Sequence, residues 1–288
     1  MQELKQGSEI VSLRKFHVPC GSRVTSQTPT TQTWLNGLQY LSTIDQYKAD
    51  MSHKQILEGI LDGHKDVVVK VADKSEDIKR EYDRYTELVN NNVQGIVHYY
   101  CYFECNDDLK RPASVKTLCQ GPGDSMRILV MEYIKDKSFA LNRWQNVDAI
   151  KSIIKQVLCI AIDAYVKFGF VHGDLHCQNI LFKKTAAASQ LAFTYSETNR
   201  TVHINTSGYK AKLMDFELSK TQQPVRAFMN DIALCLGSSL TRYIADYVTT
   251  PSTISSLVHA MVLIKERTKS PSDVYQLFEL FPLIDMIS

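Results

Sequence analysis

The stretch FVHGDLHCQN, residues 170–179, decides how this chain is read. It sets two histidines, an aspartate, a cysteine and an asparagine within ten positions, directly after the apolar-periodic run NVDAIKSIIKQVLCIAIDAYVKFGF. Three readings compete. His172, His176 and Cys177 have the chemistry of metal ligands, but no partner cluster at zinc spacing stands elsewhere in the sequence. A structural turn closing a helix is the plain alternative. The third reading takes His172, Asp174 and Asn179 as the catalytic-loop spacing H-x-D-x-x-x-x-N. In that loop the aspartate accepts a substrate hydroxyl proton and the asparagine ligates Mg2+.

Three residues elsewhere weigh on the choice. Lys70 lies in VVVKVA, the strongest strand pattern of the chain. A strand lysine is usually solvated, but in so apolar a run a buried ammonium needs an anionic partner, and a nucleotide phosphate would serve. Glu81 follows on the amphipathic run SEDIKREYDRYTELVNN, beside the stripe Ile78, Tyr82, Tyr85 and Leu88. A solvated glutamate is the default there, yet it can turn inward and pair with Lys70. Asp215 ends the apolar strand of LMDFEL. Alone it reads as a turn residue; after Lys70, Glu81, Asp174 and Asn179, in that order, it reads as a second magnesium ligand. The ordered set is specific where no single motif is.

The chain as a whole permits this. Its 288 residues are 44% hydrophobic and 22% charged, ordinary for a globular protein, and enough for one large domain or two lobes. A net charge of +2 gives no field that points to nucleic acid. The seven scattered cysteines read as reduced thiols, mostly in the core, of an intracellular protein. No apolar stretch is long enough to suggest a membrane span.

Strand patterns and one helix occupy the first half; the second half is mainly helical, with NILF, a hairpin-like LAFTYSETNRTVHI and KAKLMDF between helices. Asn146 and Gly169 are the expected caps of the long helix. Further helices are expected at about residues 228–248, at TISSLVHAMVLIKER and at PSDVYQLFEL. The order predicts an α+β protein, with a polar extension over residues 1–33, a small β-rich N-lobe over 34–134 and a mainly helical C-lobe over 135–288.

Across roughly residues 36–288 this constellation resembles the protein-kinase superfamily. The resemblance implies a bilobal kinase-like fold with an ATP site between the lobes and Mg2+ as the accompanying metal. In ILVMEYIKD it implies Met131 as gatekeeper, with the Glu132 carbonyl and the Ile134 amide facing adenine. It makes Asp231, in MNDIALCLGSSL, the helix aspartate that anchors the catalytic loop from below, and His172 the residue that holds this loop against the Asp215 segment. The order DLHCQNILFKKT, hairpin-like insert, SGYKAKLMDFELSK is similar to the haspin family, which also carries D-L-H and an Asp-aromatic motif without the usual glycine. SPSDVYQLFELF is similar to the end of haspin domains. That resemblance implies transfer to serine or threonine of a protein substrate, a histone tail among the candidates, and slightly favours the nucleus over the cytoplasm.

Three departures from the kinase pattern carry consequences. KADMSHK, with Lys48, Ser52, His53 and Lys54, stands where a glycine-rich loop is expected and contains no glycine. Glu217 replaces the glycine that lets the Asp215 segment flip, and Gly173 replaces the arginine that receives an activation-loop phosphate. Only sixteen positions separate Asp215 from Asp231, and none of the intervening residues after Glu217 is acidic, unlike the region with which haspins hold a basic histone tail. His176 stands where many serine/threonine kinases carry lysine, and either contacts the transferring phosphate or fills the turn. A haspin-like protein kinase is therefore the leading expectation. A pseudokinase, a binding or scaffold module of the same fold, comes second, and a small-molecule kinase of aminoglycoside or choline type third.

Overall fold

The computed structural model describes residues 38–43, 54–61, 65–72, 76–104, 126–135, 146–240 and 251–287. The extension over residues 1–33, Lys48, Ser52, His53, the Lys54 side chain, the loop of residues 106–125 and Cys20, Cys105 and Cys119 lie outside the described residues. The chain forms two compact units. One joins the stretch through Asp83 to His98–Tyr133; the other joins Arg84–Val97 to Ile134–Ser288.

The first unit is built on a five-stranded antiparallel sheet. Its strands are β1 (Leu38–Thr43), β2 (Lys54–Leu61), β3 (Lys65–Ala72), β4 (Tyr99–Glu104) and β5 (Arg127–Glu132), in the order β1-β2-β3-β5-β4. β3 is central because its valines suit a pleated surface with neighbours on both edges. Val67, Val69 and Val71 are buried along one face. Burial of each such side chain favours folding by about 1.5–3 kcal/mol. Helix α1 (Glu76–Asn90) follows, and its buried stripe runs Ile78, Glu81, Tyr85, Leu88, the spacing of one helical face.

The second unit is organised by α2 (Val147–Phe168). The Asn146 side chain accepts from the backbone N–H of Asp148 and Ala149, and Gly169 (φ 69°) closes the helix in the left-handed region, as the sequence implied. Strands β6 (Ile180–Lys184) and β9 (Tyr209–Leu213) pair antiparallel. Between them the insert forms a hairpin of β7 (Gln190–Tyr195) and β8 (Arg200–Asn205). The alternating pattern sends Phe193, Tyr195, Val202 and Ile204 inward. The hairpin is tied to α2 where the Tyr195 hydroxyl donates to the Cys159 carbonyl (3.2 Å) and Ser152 Oγ donates to the Asn205 carbonyl (2.6 Å).

Two helices differ from their sequence patterns. The run expected over residues 228–248 begins as α3 (Val225–Leu234) but widens into a π-turn at Cys235–Leu240; residues 241–248 lie outside the description. After α4 (Pro251–Arg267), PSDVYQLFE is a 3-10 helix, Pro271–Glu279, before the short α5 (Leu280–Asp285). Ser270 and Asp273 close a capping box at its start. Val274 and Leu277 are fully buried along it, and Phe278 is buried beside them. The chain is thus α+β, a β-sheet N-terminal part followed by a mainly helical part, in the order that the sequence patterns gave. Cys101, Cys159, Cys177 and Cys235 are buried thiols outside any disulfide, and burial pushes the Cys159 thiol up to about 12. No described helix is long and apolar enough to cross a membrane.

Candidate active site

In the first unit, Lys70 and Glu81 meet. Lys70 projects from β3, Glu81 from the buried stripe of α1, and Lys70 Nζ donates to Glu81 Oε2 at 2.7 Å. Both are buried, at 7% and 0% exposure, so neither charge is compensated by water. A third group shares the carboxylate. The hydroxyl of Tyr99, at the start of β4 and itself wholly buried, donates to Glu81 Oε1 at 2.5 Å. Sequence reasoning missed Tyr99, because a tyrosine in a strand carries no pattern beyond core packing. Met131 is buried on β5, opposite Val68 of β3 and Tyr99 of β4. Glu132 closes that strand, and its backbone N–H donates to the His98 carbonyl at 2.7 Å. Ile134, the first residue of the second unit after the strand, is buried.

In the second unit, the stretch after Gly169 hangs on Asp231. One oxygen of this α3 carboxylate accepts from the backbone N–H of His172 (2.9 Å) and Gly173 (3.2 Å), the other from Leu175 (3.4 Å). Burial raises the Asp231 carboxyl above its ordinary range, against the pull of His172 and these three N–H groups. The His172 ring reaches the opposite side, where Nε2 lies 2.9 Å from the Met214 carbonyl. That places the proton on Nε2 and leaves buried Nδ1 without a hydrogen-bond partner. Burial holds the imidazole below its usual pKa, so the ring is neutral.

The turn Cys177–Asn179 then brings the chemistry-bearing side chains together. Asn179 Nδ2 donates to the Asp174 carbonyl (2.9 Å) and to its carboxylate Oδ2 (3.3 Å). His176 caps the turn, its Nδ1 accepting from the Gln178 N–H at 3.2 Å, while Nε2 lies 3.2 Å from Asp174 Oδ2. Nε2 also lies 3.3 Å from Asn179 Nδ2, so the ring stands between Asp174 and Asn179. Both ring nitrogens are therefore committed within the loop.

Asp215 follows β9. That strand is held on one edge by β6 and on the other by the Gly95 carbonyl and the Val97 N–H, both bonded to Leu213. Buried Gln156 of α2 supports it further, accepting from Ala211 N–H (2.8 Å) and donating to the Tyr209 carbonyl (2.9 Å). At the end of this braced strand Asp215 adopts φ 64°, a left-handed conformation that marks an imposed constraint on a non-glycine residue. Phe216 is fully buried, in ring contact with Phe170 and His172. Ser219 folds the chain back, its N–H (3.1 Å) and Oγ (2.6 Å) both donating to the Phe216 carbonyl. The following residues run as a strap along the loop: Val171 and Lys220 exchange backbone hydrogen bonds, Gln222 N–H donates to Phe168, and Gln223 N–H to Gly169. Glu217 thus stands in a segment pinned on both sides. Ser219 and Gln156 were also missed; each acts on backbone groups, which side-chain spacing does not reveal.

Asn179 and Asp215 offer an amide and a carboxylate oxygen, the hard oxygen donors that suit Mg2+. The Asn179 amide nitrogen is occupied by Asp174, which leaves its oxygen as the atom available to a cation.

Comparison with known proteins finds kinase-like similarity at a coarse level. A solved structure with related geometry is the kinase PK-1 of the Cydia pomonella granulovirus, 18% identical, covering 66% of this chain, with a TM-score of 0.41. This chain spans 55%, just over half, of that kinase. Residues 66–189, which include Lys70, Glu81, Asp174 and Asn179, match the family model of the RIO domain, an atypical protein-kinase family, so over this stretch the chain is similar to RIO kinases; the match does not extend to a haspin assignment.

Proposed function

We propose that this protein catalyses ATP-dependent phosphoryl transfer as an atypical kinase, with Ser or Thr of a protein as the acceptor. The observation that carries the reading is the assembled loop: Asp174, Asn179 and His176 joined by hydrogen bonds, with the backbone between them hung on Asp231. The RIO-domain similarity and the buried Lys70–Glu81 pair support it. The D-L-H sequence and the hairpin insert support the haspin-like form of the reading. The absence of acids between Glu217 and Asp231 weighs against a basic histone tail as substrate.

In this reading Lys70 holds nucleotide phosphates, and Glu81 fixes the ammonium so that little reorganisation is needed on binding. Met131, the Glu132 carbonyl and the Ile134 amide serve adenine. Asp174 accepts the hydroxyl proton as the oxygen attacks in line, and His176 and Asn179 fix the carboxylate that does so. Asn179 and Asp215 would hold Mg2+, which neutralises phosphate charge when bound. Asp231 and His172 keep the loop in place. The protein acts inside the cell, where ATP is plentiful.

The test is a labelled-phosphate assay on mixed protein substrates and on small alcohols, with Lys70→Met and Asp174→Asn as controls. Transfer to protein that Asp174→Asn abolishes while Mg·ATP still raises the melting temperature is the expected result. Transfer only to small alcohols would give the aminoglycoside- or choline-type activity instead. No transfer and no thermal shift at millimolar Mg·ATP would leave a scaffold.

A further inference from the structure

The Glu81 carboxylate divides its two oxygens between two donors. Oε2 takes the Lys70 ammonium at 2.7 Å, and Oε1 takes the Tyr99 hydroxyl at 2.5 Å. Glu81 and Tyr99 are both at 0% exposure, and they come from different elements, α1 and β4, of the same unit. β4 is hydrogen-bonded to β5 and β5 to β3, so Tyr99 and Lys70 are fixed to one sheet while Glu81 is brought to them by the helix. Swinging the helix face away would break both bonds to the buried carboxylate at once. A lysine alone could follow a moving glutamate on its flexible stem; a tyrosine hydroxyl on a rigid ring cannot.

We infer that Tyr99 is a positioning residue that latches Glu81 against Lys70, so that the ion pair is assembled in the nucleotide-free protein and needs no modification to form it. The inference rests on the kinase reading for the use of Lys70, but not for the latch itself. It gives a physical basis for a constitutive enzyme: helix and sheet are locked by an uncharged donor that salt and phosphate cannot compete away. Tyr99 is wholly buried and so is itself no target for modification.

Tyr99→Phe tests this in the full chain, since it keeps the ring and removes the one donor. Three measurements are needed: the melting temperature, acylation of Lys70 by an amine-directed reagent without nucleotide (read by peptide mass), and the Kd for Mg·ATP. The latch predicts a folded variant with Lys70 acylated at least threefold faster and Mg·ATP bound about three- to tenfold more weakly. Unchanged Lys70 reactivity in a folded variant overturns it. A second arm uses the unmodified protein and is immune to misfolding. Amide exchange over residues 79–83 is compared without nucleotide and with saturating Mg·ATP. Protection within about twofold supports the latch, and a tenfold or greater gain on adding nucleotide overturns it. Loss of the kinase reading itself is recognised separately, by absence of phosphate transfer from the unmodified protein, and leaves the Lys70 reactivity comparison intact.

Discussion

A Cβ on Gly173 would sit 2.5 Å from the carbonyl oxygen of Leu218. Gly173 also adopts φ 80°, a conformation that side chains resist. Where common kinases carry arginine before the catalytic aspartate, this chain has no room for any side chain, because the strap after Asp215 lies directly against the loop. The absence of a phosphate-receiving arginine and the fixed course of the strap are one feature. Gly173→Ala is expected to cost about 2–4 kcal/mol of stability, from the left-handed backbone together with the carbonyl clash. Urea unfolding measures this, and a cost under about 0.5 kcal/mol would mean that the strap yields freely.

Asp231→Ala removes the acceptor of three backbone N–H groups, those of His172, Gly173 and Leu175. These groups lie at or beside buried residues, so the loop loses about 3 kcal/mol or more. Phosphoryl transfer should fall with it, since Asp174 stands between Gly173 and Leu175. Asp231→Asn keeps one acceptor oxygen and should fall between the alanine variant and the parent in both unfolding and transfer assays.

His176 has two separable tasks, capping through Nδ1 and holding Asp174 through Nε2. Asparagine is a good cap but is too short to reach Asp174. His176→Asn should therefore melt within a few degrees of the parent, yet lose about tenfold in kcat, the factor that accompanies ~1.4 kcal/mol. His176→Ala should lose both. Equal turnover in parent and His176→Asn would show that Asp174 needs no help from the ring.

The neutral, buried His172 makes stability depend on pH. Its folded pKa lies below the unfolded value of about 6.5, so on acidification the unfolded chain takes up a proton that the fold refuses. The stabilisation is full above pH ~6.5 and declines as pH falls below it, by up to ~1.4 kcal/mol per pH unit for one group. Asp231, raised by burial, works in the opposite sense nearer the carboxylate range, which leaves pH 5.5–7.5 as the window to examine. Unfolding free energies across that window should slope less in His172→Gln than in the parent, and identical slopes would refute the assignment.

Much of this was legible in the sequence because it is written in local periodicity and spacing. The α2 caps at Asn146 and Gly169, the insert hairpin, and the pairing candidates Lys70 and Glu81 all follow from residue type and interval. Two local patterns misled. PSDVYQLFE has the composition of an α-helix, but it forms a 3-10 helix that opens on the Ser270–Asp273 capping box. The expected long helix after Phe228 passes into a π-turn at Cys235.

What sequence alone determined is the order of strands and helices, with a set of candidate polar side chains placed among them. Those are properties of short intervals, and burial enforces them through simple periods. What only the tertiary structure decided is how these side chains are held. Tyr99 reaches Glu81 of a helix from a strand, Leu218 crowds Gly173 from forty-five residues away, and Gln156 supports the strand before Asp215 from within a helix. Each is a contact between a polar or backbone group and a partner distant in the chain. Hydrogen-bond satisfaction in the core demands such partners, but nothing in the spacing of residues names them.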